Sequence, residues 1–262
     1  MCLIALSWKH HPRYRLALIA NRDEAHARPT SPAGADPDDS TVYGGRDLLA
    51  GGGWLMASTH GRLAAVTNVR AGQPEGTMPR SRGALVRGFA AGRASAQEAL
   101  ASIAPHAAEY GRFNTLAYDG QELAFASNYP AFQTHAVAPG LHAMSNGAFD
   151  APWPKSGHAT RALERWLASP AALDGATDDA ALSPLFDALA DTTAAPDDTL
   201  PDTGVGLELE RLLSPPFVRG ERYGTRCSSV VLIEDARITF VEQGFGPDGV
   251  RLGRTRATFP IA

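Results

Sequence analysis

Short apolar stretches of strand length, broken by turns, recur along this chain and alternate with two pairs of helical segments. That order constrains the fold more than any other feature. Cys2 to Trp8 reads as a buried strand, the polar stretch Lys9 to Tyr14 with Pro12 as a turn, and Arg15 to Asn21 as the returning strand. Residues 28–41 are rich in Pro, Asp, Ser and Gly and read as an irregular loop. Gly51-Gly52-Gly53 leads into a strand at Trp54 to Ser58, and His60-Gly61 turns the chain into Arg62 to Val69. A helix is expected from Arg82 to about Arg93, with Ser81 as N-cap and Leu85, Val86 and Phe89 on its apolar face. Ser95-Ala96-Gln97-Glu98 has the form of a capping box and starts a second helix, which Pro105 stops near Ala104. Phe113 to Tyr118 and Leu123 to Ser127 flank the Asp119-Gly120 turn, and Thr134 to Ala138 and Leu141 to Ser145 read as two more strands. Helices return near 156–168 and 178–190, and Thr192 to Gly206 reads as a mobile loop. Thr225 to Ile233 and Arg237 to Glu242 form a last hairpin. Antiparallel strands with segregated helices imply an α+β layered fold: two antiparallel sheets face to face, with helices outside each, across one domain of residues 1–262.

Composition narrows the function classes. The formal net charge is −4 over 262 residues, which argues against a protein built to grip nucleic acid. No apolar run approaches the roughly 20 residues of a membrane span. The apolar N-terminal runs are short for a secretory signal, and Asn21-Arg22-Asp23-Glu24 interrupts just before the Ala25-His26-Ala27 stretch, so a cytoplasmic protein is expected. Two cysteines, Cys2 and Cys227, make no disulfide framework.

Cys2 is the residue with the most chemistry in reach. Removal of Met1 would leave a thiol and a free α-amine on one residue, with reference pKa values of about 8.5 and about 7.7–8.0, so the amine can take the thiol proton. Several polar residues end or begin strands. Arg22 and Asp23 follow the strand that pairs with the Cys2 strand, where an aspartate can orient an ammonium and an arginine can fork onto a carboxylate. Asn68 and Asn146 close later strands and carry neutral amide donors suited to an oxyanion, while Arg226 opens the last hairpin. Taken singly, each reads first as ordinary: a small buried Cys, a charged turn, an Asn-Gly turn at Asn146, a polar strand end. Cys227 follows Arg226 and, on a regular strand, faces away from it, which reads as packing.

The ordered set of short motifs is more specific than any one of them. Met1-Cys2-Leu3-Ile4, Asn21-Arg22-Asp23-Glu24, Arg28-Pro29-Thr30, Gly45-Arg46-Asp47-Leu48, Gly51-Gly52-Gly53-Trp54-Leu55, Thr67-Asn68-Val69-Arg70, Pro79-Arg80-Ser81-Arg82-Gly83, Ser145-Asn146-Gly147, Pro152-Trp153-Pro154-Lys155 and Tyr223-Gly224-Thr225-Arg226 occur in this order. Together they resemble the NRDE family, named for its tetrapeptide and related to transport and Golgi organisation protein 2 of animals. The resemblance implies an N-terminal-nucleophile hydrolase-like fold, a four-layer αββα sandwich. It extends more distantly to cysteine amidohydrolases such as bile-salt hydrolases and penicillin V acylases. On their pattern Cys2, Arg22, Asp23, Asn68, Asn146 and Arg226 take the site roles in chain order, although Arg22 and Asp23 are adjacent here and separated there.

The resemblance leaves activity open between two readings. One is a cysteine amidohydrolase that attacks an acyl amide or related acyl substrate and requires no cofactor. The other is a non-catalytic carrier of haem or an acyl lipid in the same cleft. Haem would ask for an axial ligand, and by residue type His10, His11, His60 and Met56 are the candidates. The partner expected in either case is a small molecule. The sequence carries no signal for oligomeric state.

Overall fold

Every residue of the first strand, Cys2–Trp8 (β1), is buried, yet its side chains part into two sets. Cys2, Ile4, Leu6 and Trp8 join one apolar cluster, and Leu3 and Ala5 join another. Alternation on a pleated strand separates the two sets, and burial on both faces places the strand between layers. The computed structural model describes residues 2–72 and 76–262. After β1 come β2 (Leu16–Ala25), β3 (Thr30–Ala35), β4 (Val42–Asp47), β5 (Gly53–Ser58) and β6 (Leu63–Asn68), then helices α1 (Arg82–Ala91) and α2 (Ala96–Ala101). Strands β7 (Phe113–Tyr118), β8 (Leu123–Ser127), β9 (Gln133–Ala136) and β10 (Gly140–Met144) precede α3 (Pro154–Leu167), α4 (Pro170–Asp174), α5 (Asp179–Leu189) and α6 (Leu207–Leu212). The chain ends in β11 (Tyr223–Ile233), β12 (Arg237–Phe245) and β13 (Arg251–Pro260).

The strands form a six-stranded sheet in the order β10-β1-β2-β11-β12-β13 and a seven-stranded sheet in the order β3 to β9, every pairing antiparallel. Ile4, Leu18 and Phe240 of the first sheet meet Leu55, Leu63, Leu116 and Phe125 of the second in a shared core between them. On its other face the first sheet packs Ile19, Val230 and Leu232 against Leu163, Trp166 and Leu185 of α3 and α5. The second sheet packs Met56, Ala64 and Ala124 against Val86, Phe89 and Leu100 of α1 and α2. The expected four-layer αββα sandwich is therefore the observed one.

Four local expectations change. The 28–41 stretch contains β3, an edge strand whose Pro32 sits in a register irregularity between Ser31 and Gly34, a place that tolerates a missing N–H. The tetrapeptide Asn21-Arg22-Asp23-Glu24 lies inside β2, because β11 extends alongside and pairs as far as Ala25. The two short strands expected near 134 and 141 both form, in different sheets: β9 joins β8, and β10 crosses to β1. Strand β13 was masked in the sequence by its polar composition; it is an edge strand with Arg251, Arg254 and Arg256 along it, and charge on an edge discourages further pairing. The 192–206 stretch is tied down, with a short 3-10 turn at Asp197–Thr199, an Arg211–Asp197 ion pair and Thr203 bonded to Glu210.

The glycine run at 51–53 has a packing cause beyond its turn. Gly51 and Gly52 have φ of +71° and +76°, and a Cβ on Gly52 would lie 2.2 Å from the carbonyl oxygen of Gly83 in α1. The start of α1 therefore rests directly on the turn into β5. Further along α1, Arg87 grips Asp36 in a two-pronged pair of 2.8 and 2.9 Å. The Arg87 hydrogen bond comes first among the causes that hold the Asp36 carboxyl at a pKa of about 2. That pKa lies below the unfolded value, so the stabilisation is complete above about pH 4 and is lost as pH falls towards 2. Asp36→Asn is expected to lower stability at neutral pH by about 2 kcal/mol, and its deficit should vanish in urea melts taken near pH 2.

Candidate active site

At one end of the sandwich the two sheets are stitched together by polar groups. The Ser145 hydroxyl, just after β10, donates to the carbonyl of Cys2 at 2.9 Å, and the Thr67 hydroxyl of β6 donates to the carbonyl of Ser145 at 2.6 Å. The Asn146 side-chain amide donates to both the backbone carbonyl and the Oδ1 of Asn68, at 2.9 and 3.1 Å. Asn114 of β7 donates to the carbonyl of Gly147 at 2.6 Å. These bonds fix the start of β1 against the end of β6. The Cys2 and Asn68 ends of these bonds border a cavity of about 1240 Å³, lined also by Arg22, Asp23, Tyr223 and Arg226 among others.

The tetrapeptide in β2 divides its residues by the pleat. Cys2 pairs with Arg22 across the ladder, so both face the space between the sheets. Arg22 is buried, with its Nη2 3.8 Å from Glu24. Asn21 faces the helix side, donates to the carbonyls of Leu189 and Pro216 at 2.8 and 2.9 Å, and accepts from the Ser228 hydroxyl. It satisfies the end of α5 and the following chain, which is a structural job. Asp23 pairs with Thr225, whose hydroxyl donates to its Oδ1 at 2.7 Å, and the Tyr223 hydroxyl donates to its backbone carbonyl at 3.1 Å.

The charges here are largely out of water. Burial pushes the Cys2 thiol up, the Asp23 and Glu24 charges add to that, and Arg22 opposes it. Burial also raises the Asp23 carboxyl, against the pull of Lys155, the Thr225 hydroxyl and Arg22. Lys155, at the second position of α3, is buried and donates to the carbonyl of Leu213 at 3.2 Å. Burial lowers it to about 8, while Asp23 and Cys2 act in the opposite direction. Tyr223 is raised by burial and by the Asp23 and Cys2 charges.

Two expected roles change. Asn146 is not among the residues that line the cavity, and its amide donates twice to Asn68. It orients Asn68, whose Oδ1 is the accepting end and whose Nδ2 is left as a donor. Cys227 does not turn away from the cleft. A bulge at Arg226 places one extra residue between the Thr225–Asp23 and Cys227–Arg22 pairs, which returns Cys227 to the face of Cys2 and to the cavity lining. Its thiol is raised well above its usual value by burial and by Glu242. Arg226 itself holds the chain after β2, donating to the carbonyls of Ala25 and Arg28 and to the Thr30 hydroxyl at 2.9, 3.1 and 3.0 Å.

The four residues named by type as haem ligands do not fit the cavity. Met56 is in the core between the second sheet and its helices. His10 and His11 stand beyond the end of β1 opposite Cys2, with His11 bonded to the carbonyl of Leu167. His60 follows the end of β5, opposite the Gly53 end that lines the cavity. No histidine is among the described residues that line it, and the thioether there is Met78.

Two facing antiparallel sheets between helix layers, with the first strand's cysteine opening on a cavity between them, define an αββα sandwich with its site at the start of the chain. The chain belongs to the Transport and Golgi organisation 2 family, whose model matches residues 1–247. It is 31% identical to the Transport and Golgi organization protein 2 homolog of Bos taurus, covering 100% of this chain and 99% of that one. It is 30% identical to the Homo sapiens homolog, covering 93% and 92%. Among solved structures it is similar to an ortholog of N-acylethanolamine-hydrolyzing acid amidase from Caenorhabditis elegans. That match has a TM-score of 0.49 and 10% identity, over 88% of this chain and 92% of the other. It is also similar to a C2A mutant of conjugated bile acid hydrolase from Clostridium perfringens, with a TM-score of 0.46 and 12% identity over 100% and 92%. No helix among the described residues is long and apolar enough to cross a membrane.

Lys155, Tyr223, Ser145 and Glu242 belong to the site's surroundings; the first three fall in the sequence motifs, but none was given a site role there. Glu242 had left a signal: Phe240, Glu242 and Gly244 share one face of β12, so an acid stands at an inward position. Its buried carboxylate accepts from the Ala33 amide and the Ser229 hydroxyl. Two outcomes follow from these contacts. Asn146→Ala removes two hydrogen bonds to half-buried acceptors on Asn68 and should destabilise the protein by about 1–3 kcal/mol, read by chemical denaturation. Burial holds the Lys155 ammonium at a pKa of about 8 in the folded chain, below its ordinary 10.5. The unfolded chain therefore binds more protons between those pH values, and stability should rise with pH there by up to about 3 kcal/mol. Denaturant melts of Lys155→Met at pH 7, 9 and 10 (about the window set by that pKa) should lack the rise.

Proposed function

We propose that the chain is a cysteine amidohydrolase of the N-terminal-nucleophile kind, acting on an acyl amide or related acyl substrate. The observation that carries this reading is the Cys2 thiol opening on a large cavity, with its own carbonyl fixed by Ser145 and Arg22 beside it on the ladder. The reaction requires Cys2 to carry a free α-amine; Met1, whose removal would provide it, lies outside the described residues. The amine takes the thiol proton, which offsets the burial that disfavours the thiolate. The sulfur attacks the acyl carbon, and the Asn68 amide donates to the oxyanion. The carbon–nitrogen bond breaks, the leaving amine takes the proton from the α-ammonium, and an acyl thioester on Cys2 remains. Water attacks the thioester, the α-amine takes one of its protons and returns it to the departing sulfur, and the acid is released. Asp23 and Arg22 order the chain start, and Asn146 and Arg226 hold Asn68 and the chain after β2.

A second reading is favoured by the size of the cavity, about 1240 Å³, which is larger than the usual range of about 300–1,000 Å³ for small-molecule sites. In it the chain carries an acyl lipid without cutting it. A haem cargo is the weaker form of this reading, because it would find no histidine in the described lining.

Protein whose N-terminal residue is verified as Cys by mass spectrometry should gain the mass of an acyl group on Cys2 when mixed with a panel of N-acyl amides. Cys2→Ala and chains retaining Met1 should gain none and release no acid. Saturable binding of the same amides by calorimetry, with the intact mass unchanged, rejects hydrolysis in favour of the carrier. Equal acid release by Cys2→Ala also rejects the mechanism.

A further inference from the structure

Exposed large hydrophobic side chains are few among the described residues, and most come from three short segments: 48–49, 207–212 and 250–252. These segments are far apart in sequence, yet one leucine or more from each lines the same cavity. Leu49, Leu209, Leu212 and Leu252 border it while remaining 67%, 40%, 55% and 57% exposed. Side chains that face solvent and cavity at once stand at its mouth. Apolar groups gathered in this way on a surface mark a contact site.

The charges beside the mouth have one sign in excess. Arg46 lines the cavity and Arg251 lies between Val250 and Leu252; neither has an ion-pair partner among the described residues. The acids on or beside the three segments are mostly committed: Asp47 to Arg28, Glu208 to Arg211 and Glu210 to Arg70, with Asp248 the exposed exception. An apolar rim with uncompensated arginines is the chemistry of binding at an anionic lipid interface. A protein partner fits less well. Its contact would be centred on the opening of a cavity, whereas a protein interface has a packed core. Acyl chains are fluid and can enter the opening.

We propose that the mouth of the cavity docks on a bilayer bearing anionic phospholipid. The leucines of the three segments sit at the acyl boundary, Arg46 and Arg251 meet the headgroups, and an acyl ligand passes into the cavity without crossing water. This rests on the reading that the cavity takes an acyl ligand, and it holds whether or not Cys2 cuts that ligand.

The test is flotation of the full chain with vesicles of phosphatidylcholine and phosphatidylserine, and with vesicles of phosphatidylcholine alone. The protein should float with the mixed vesicles. Leu49→Asp and Leu252→Asp should each weaken binding by about tenfold or more, with the fold of each checked by circular dichroism. Arg46→Glu should weaken binding to the mixed vesicles and leave the weaker binding to phosphatidylcholine unchanged. Cys2→Ala should float like the parent. The proposal is overturned if the parent stays with the unbound fraction for both vesicles, or if both leucine variants bind as the parent does. Self-association that Leu252→Asp abolishes, without vesicle binding, would assign the rim to a second copy and also overturn it. Acylation of Cys2 without vesicle binding rejects docking alone, and vesicle binding without acylation rejects cleavage alone.

Discussion

The polar stitch between the two sheets is the interaction on which the site depends. Hydrophobic burial presses the sheets together, but it is non-directional and does not set where one strand end lies against another. The bonds from Ser145 to Cys2, Thr67 to Ser145 and Asn146 to Asn68 do set it. The bonds from Ser145 and Thr67 lie where solvent cannot replace a lost partner, so breaking one leaves an unmet group, while those from Asn146 to Asn68 are half-buried at the cavity's edge. The apolar core between the sheets continues from Ile4 and Leu55 away from this end, and the cavity opens where the core stops and the polar bonds begin.

The site also shows how one strand serves two layers. In β2 the side chains alternate between the space shared by the sheets and the helix layer. Arg22 faces the cleft with Cys2, while Asn21 holds the end of α5. The buried lysine at the start of α3 reaches the same region from the helix side, and its charge opposes the burial that raises Asp23. The helix layer thus contributes to the electrostatics of a site whose opening lies between the sheets.

Much of this was legible in the sequence, and the gaps have physical causes. The two helix pairs and most hairpins follow from period and capping; the Ser95 box forms as its residues imply. Strands β3 and β13 were hidden because edge strands are not obliged to be apolar, and both carry proline or charge where a central strand would not. The separation of β9 from β10 depends on sheet pairing at long range, which local pattern does not encode. Among the site residues, Cys2, Arg22, Asp23, Asn68 and Arg226 all border one cavity. Asn146 was located at the right strand end, but its orientation depended on Asn68, a neighbour distant in sequence. Lys155 closes one of the sequence motifs, but nothing in its own segment shows that it is buried, bonded to Leu213 and within reach of the Asp23 charge.

The bulge at Arg226 has a consequence for how β11 tolerates change. A strand assigns faces by counting residues in twos, and the extra residue resets the count in mid-strand. Tyr223 to Thr225 keep one parity, which serves Asp23, and Cys227 to Ile233 keep the other, which serves the cleft and the core. Each half can therefore be substituted as though it were a separate strand. Deleting Arg226 would close the bulge and make the Thr225–Asp23 and Cys227–Arg22 pairs neighbours in a regular ladder, so both halves would keep their faces and only the arginine that ties down the chain after β2 would be lost.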